Sequence, residues 1–159
     1  MRKRIDLYSK EEAYQKKKDF WISYGSYMKL QKNAEGESIN WINYKTGVKG
    51  IYFRSNVDRK FAEVYVQIDH PDPDFNHLIW EQFEEYEIVL KSYVGDEWVW
   101  TKDDYDEDGK AISTIKIRLE NVSIFRDSDW PTIISFLKER MMNLDEFWVD
   151  HKESFEIFK

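Results

Sequence analysis

The sequence predicts an α+β fold: an antiparallel sheet of about four strands, built from two hairpins and packed with three main helices. Three observations lead there. Two pairs of segments alternate apolar and polar residues with the period of a half-buried strand, each pair joined by turn-forming residues. Three longer segments repeat apolar residues every three or four positions, as one face of a helix does. The chain has 159 residues and no cysteine, so packing alone must build the core, and a single domain over 1–159 is long enough for that. The element order is helix–hairpin–helix–hairpin–helix.

The first helix is expected from about Ser9 to Gln31. Ser9 and Glu12 have the spacing of a capping box, and Ala13, Phe20, Tyr24, Tyr27 and Met28 keep helical spacing although Lys17 interrupts the stripe. Residues 1–8 read as a flexible basic start. Asn33 to Glu37 reads as a loop. The first hairpin pairs Gly50–Ser55 with Ala62–Ile68 across Asn56-Val57-Asp58. In it Ile51 and Phe53 share one face, as do Ala62, Val64, Val66 and Ile68. His70-Pro71-Asp72-Pro73-Asp74 ends that hairpin and starts a helix marked by Phe75, Leu78, Ile79, Phe83, Tyr86, Leu90 and Tyr93, with Gly95 as its stop. The second hairpin sets Glu97–Thr101 against Thr114–Leu119, with Asp108-Gly109 as the turn. Pro131 stands in the first turn of the last helix, which follows Trp130, Ile134, Leu137, Met141, Leu144 and Trp148 to about Phe155.

Composition narrows the function. Aromatic residues make up 17% of the chain, so much of the core must be rings. The absence of cysteine excludes a disulfide scaffold, a thiolate zinc site and a cysteine nucleophile. No apolar run approaches the roughly 18 residues that span a bilayer, and the basic start is not followed by an apolar stretch, so a cytoplasmic location without membrane contact is expected. The net charge of −7 hides a division: residues 1–60 carry 14 basic against 7 acidic side chains, and residues 61–159 carry 10 against 24. The basic third suits phosphate, or the acidic body of a second copy.

Four constellations bear on chemistry. A restriction-type nuclease needs an Asp on one strand and Glu-x-Lys on the next, with Mg²⁺ on the carboxylates. Asp58 precedes Glu63-Val64-Tyr65, which has Tyr in place of Lys, and Glu97-Trp98-Val99 fails in the same way. Asp104, Asp106, Asp108 and Gly109 match the first half of a calcium loop, but its closing Glu falls on Ile115, so an acidic hairpin tip is the plainer reading. His70, Asp72, Asp74 and His77 are ligand types for Zn²⁺ or Mn²⁺, yet the Pro-Asp-Pro-Asp run already serves as turn and cap, and His77 is spaced to pair with Glu81. The fourth is the basic aromatic segment holding Trp41, Asn43, Tyr44, Lys45, Lys49, Tyr52 and Arg54. Its cations suit phosphates and its rings suit unpaired bases, while Trp41 and Tyr44 also read as core. Acyl-transfer and phosphate-loop motifs are missing. No metal and no cofactor are expected, and catalysis is the less favoured reading.

Phe20-Trp21, then Gly36-Glu37 with Ile39 to Gly47, and Ile51-Tyr52-Phe53-Arg54 resemble a bacterial family. Glu97-Trp98, Val122 to Phe125 ahead of Trp130-Pro131, and Phe147-Trp148 extend the likeness over roughly Ser9 to Phe155. The family is the domain of unknown function 4268. In larger relatives this domain looks like the companion of a nuclease-like domain, so the resemblance implies a link to DNA-handling or defence systems. It implies no reaction and no catalytic residues. The expected function is therefore a non-catalytic binding module that contacts nucleic acid or a partner protein through the Trp41–Arg54 segment. The alternatives are a self-associating interaction domain and a divergent metal-dependent nuclease.

Overall fold

The helix that opens the chain is fixed by the expected capping box. The computed structural model describes residues 9–159, so the basic start at residues 1–8 lies outside the described residues. Ser9 Oγ accepts from the Glu12 N–H at 3.1 Å, and Glu12 Oε1 accepts from the Ser9 N–H at 3.0 Å, at the head of α1 (Lys10–Met28). The helix stops three residues short of Gln31. There the Gln31 carbonyl accepts from the Trp41 indole at 3.2 Å instead of continuing the helix. The strands follow as β1 (Ile51–Val57) and β2 (Phe61–Ile68). Gly50 admits the entry to β1: its φ is +86°, and a Cβ there would lie 2.8 Å from His70 Cβ.

The single helix expected over about 73–93 is two, α2 (Pro73–Glu85) and α3 (Glu87–Val94), so the described residues hold four main helices rather than three. The break is at Tyr86, with φ −96° and ψ 11°. Its ring packs on Phe147 and Phe155 and its hydroxyl meets that of Ser154. Then come β3 (Val99–Tyr105), β4 (Ala111–Glu120), a 3₁₀ turn at Asp127–Asp129, and α4 (Trp130–His151). The last helix ends before Phe155, because Lys152–Phe158 tightens into a 3₁₀ helix that buries Phe155 and Phe158.

The sheet is antiparallel throughout, in the order β1-β2-β4-β3, so the two hairpins meet through β2 and β4. Register puts Phe53 opposite Val66, Val64 opposite Ile117 and Val66 opposite Ile115 on one buried face. Helix α4 covers that face with Ile133, Leu137, Met141, Leu144 and Trp148, and α1 adds Phe20, Tyr24 and Met28. The aromatic excess is mostly core; three indole N–H groups are paired there, while the buried Tyr24 hydroxyl has no hydrogen-bond partner among the described residues. The indole N–H groups of Trp98, Trp130 and Trp148 donate to the carbonyls of Val94, Ile124 and Thr46 at 2.8–3.0 Å. Tyr27, Phe75 and Leu78 are exceptions, lying 40–45% exposed on faces where periodicity wanted burial.

Between α1 and β1 the chain has no helix or strand, only a bridge between Lys32 and Ser38. It is held from α4 by Asp145, which is 1% exposed. One carboxylate oxygen accepts from the Tyr44 hydroxyl at 2.6 Å, the other from the Ala34 N–H at 2.7 Å. Asp145→Ala strands both donors, and urea unfolding is expected to show a loss of about 3 kcal/mol, with Asp145→Asn in between. Alkali gives a second check. Burial raises the Tyr24 phenol far above its ordinary pKa of 10.0, and burial together with Asp145 does the same for Tyr44. Both contributions are intact below pH 10.0 and are lost as pH rises beyond it, because the unfolded phenols ionise first. Stability is expected to fall above that pH, and Tyr44→Phe should flatten the fall.

Candidate binding face of the sheet

The strand pattern that buries one face presents another set of residues on the opposite face. Tyr52, Arg54 and Asn56 of β1 stand opposite Gln67, Tyr65 and Glu63 of β2, and these stand opposite Thr114, Lys116 and Arg118 of β4. Three rings on this face each carry a cation: Arg54 Cζ lies 4.5 Å from the Tyr52 centroid, Lys116 Nζ 5.2 Å from Tyr65, and Arg118 Cζ 3.8 Å from Phe61. Glu63 organises the centre. Its side chain is 7% exposed and accepts from Arg118 Nη2 at 2.9 Å, Arg118 Nε at 3.2 Å and Asn56 Nδ2 at 3.2 Å, with Lys116 Nζ at 3.8 Å.

The hairpin tip between β3 and β4 forms the other wall. Asp106 Oδ1 accepts from the N–H groups of Asp108 and Lys110, both at 2.9 Å, which turns the chain at Gly109. Asp104 is partly desolvated, which opposes its charge. The Thr114 hydroxyl, the Tyr105 N–H and Lys116 outweigh this and hold its carboxyl below the usual range. Burial raises the Tyr65 phenol, and Glu63 adds to the effect while Arg54 opposes it. Between sheet and tip lies a cleft of about 390 Å³ bordered by Arg54, Glu63, Tyr65, Gln67, Lys116 and Asp106.

The basic aromatic segment is divided by the fold. Trp41 and Tyr44 are 2% and 8% exposed and belong to the core, so neither ring faces solvent as a stacking platform. Asn43, Lys45 and Lys49 are exposed, and Lys45 borders a separate cleft with Glu35 and Lys152. Tyr52 and Arg54 reach the open face. Asn56, Glu63, Tyr65, Gln67, Thr114, Lys116 and Arg118 join them there. Their signal in the sequence is the outward half of each strand's alternation.

The other constellations resolve into structure. His70 Nδ1 accepts from the Asp72 N–H at 3.0 Å, Asp72 caps α2 by accepting from the Asp74 N–H at 2.9 Å, and His77 Nε2 lies 3.4 Å from Glu81. Ile115, the position of the missing calcium ligand, is fully buried. Glu63 is occupied by Arg118 and Asn56, and Asp58 Oδ1 accepts from the Arg59 N–H in the hairpin turn. Among the described residues no group of three or more His, Cys, Asp or Glu side chains is placed to hold a metal ion, and no helix is long and apolar enough to cross a membrane.

Fold and face together define a small α+β domain with one helix-covered and one open sheet face. Residues 16–152 match the model of the family described as domain of unknown function DUF4268, and the chain belongs to that family. Comparison with curated proteins and with solved structures gives no match. Glu63→Ala leaves Arg118 and Asn56 without their acceptor. Denaturant unfolding is expected to show a loss of about 2 kcal/mol, whereas Glu97→Ala, an exposed change outside the face's centre, should lie within about 0.5 kcal/mol of the parent.

Proposed function

We propose that this domain is a non-catalytic binding module whose recognition surface is the open sheet face, and that its ligand is a partner polypeptide of mixed charge. The cleft of about 390 Å³ carries this reading. Arg54 and Lys116 stand on its sheet wall, Asp106, Glu107 and Asp108 on its hairpin wall, and Tyr65 and Gln67 between. Opposed walls of opposite charge suit a segment bearing both signs. A phosphate backbone would meet the three carboxylates of the tip, while Lys116, one of the two cations lining the cleft, already faces Glu63 and Asp104. This favours a polypeptide over the nucleic acid that the charge of the first 60 residues suggests. The resemblance to a companion of nuclease-like domains supports a partner from a DNA-handling or defence system.

Mixed-charge peptides selected on the domain from a display library test the reading. Their affinity is expected to fall about tenfold with Arg54→Ala and with Asp108→Ala, and to be unchanged by Lys45→Ala. Binders indifferent to both changes on the face would contradict it. So would salt-sensitive retention of single-stranded DNA that disappears with Arg54→Ala, which would move the site to the nucleic-acid reading.

A further inference from the structure

Strand β4 is longer than the strand beside it. β2 pairs along one side as far as Glu120, but β3 pairs along the other only from Ala111 to Lys116. Among the described residues, the outer edge of Ile117–Glu120 therefore has no strand next to it. A groove of about 560 Å³ runs there, walled by Val99, Leu119, Phe136 and Arg140. An unpaired edge offers its N–H and C=O groups to another strand.

We infer that this edge pairs with the same edge of a second copy, antiparallel about a two-fold axis through Leu119. The inference is independent of the open-face reading and goes beyond it. Ile117 and Leu119 point to the helix side, Arg118 and Glu120 to the open face. Residues directly opposite each other must share a face, so the axis passes through a residue and not between two. An axis at Arg118 sets two guanidinium groups against each other, and one at Glu120 sets two carboxylates, and like charges directly opposite are destabilising. An axis at Ile117 drives the second strand into β3, which occupies the lane beside Lys116. At Leu119 every pair agrees. Leu119 meets its own counterpart, and Arg118 of each copy meets Glu120 of the other, twice.

Local chemistry permits this register. Arg118 spends Nε and Nη2 on Glu63, its side chain is 40% exposed, and its remaining donors are available for a second carboxylate. Asn121, with φ 64°, turns each chain out of the strand just beyond the paired stretch. A two-fold axis perpendicular to the sheet keeps both open faces on one side, so the pair would present two clefts to the same partner or surface.

Sedimentation velocity over a range of concentrations tests it. The parent chain is expected to form a dimer. Glu120→Arg, which turns both cross-pairs repulsive, should weaken association about tenfold or more with unchanged far-ultraviolet circular dichroism. Because the chain has no cysteine, Leu119→Cys supplies a second readout that is independent of the charge change. Mild oxidation should join two copies through it and should not do so through Glu153→Cys, an exposed position on the C-terminal 3₁₀ helix. A monomer at every concentration with no cross-link at position 119 overturns the inference, as does a dimer whose association Glu120→Arg leaves unchanged.

Discussion

One buried carboxylate holds together the part of the molecule that has no secondary structure of its own. The segment between Met28 and Ile51 contributes Trp41, Tyr44 and Val48 to the core, yet no helix or strand ladder satisfies its backbone. Asp145 supplies the tie from α4, with the Tyr44 hydroxyl on one oxygen and the Ala34 N–H on the other. Trp148, one helical turn further on, donates its indole N–H to the Thr46 carbonyl and stacks edgewise on Phe53 of β1. Residues from a single helix thus anchor the segment and seat the strand that follows it. A buried charge is costly unless it is hydrogen-bonded, so removal of its donors costs more than removal of ordinary contacts.

Seating β1 correctly decides which of its side chains meets the core. With Phe53 against Trp148, Tyr52 and Arg54 must point the other way, because successive side chains alternate. The same alternation in β2 and β4 brings Glu63, Arg118 and Asn56 together, although Arg118 is 55 residues from Glu63. The resulting face is polar but well ordered. Its rings are covered by cations and its central carboxylate by a guanidinium, so long side chains shield the sheet where no helical layer does. A face of this kind resists face-on aggregation while keeping groups available for a specific contact.

The strands were legible because one face of each is apolar: Val64, Val66, Ile115 and Ile117 announce themselves by period alone. The sequence predicts one continuous second helix because Tyr86 and Leu90 keep helical spacing across the break, where the Tyr86 ring packs against Phe147 and Phe155. The basic aromatic segment divides for a related reason. Trp41 and Tyr44 lie close to lysines in sequence and also read as core, and in an irregular segment no periodicity tells a buried ring from an exposed one. Tyr52 and Arg54 were found because they lie on a strand, and the residues beside them were missed because adjacency of β2 and β4 is a matter of topology. The outward-facing sets Glu63, Tyr65, Gln67 and Thr114, Lys116, Arg118 were visible one strand at a time. Only the order β1-β2-β4-β3 assembles them into a face.

The sheet has one sealed face and one open face, and the aromatic excess is divided between them. The most direct measurement is nuclear magnetic resonance with a soluble paramagnetic probe that attenuates side-chain signals reachable from solvent. Signals of Tyr52, Arg54, Tyr65, Lys116 and Arg118 are predicted to be attenuated, and those of Trp41, Tyr44 and Phe53 to be protected. Protection of the Arg54 and Arg118 signals, or attenuation of Trp41 and Tyr44, would contradict it.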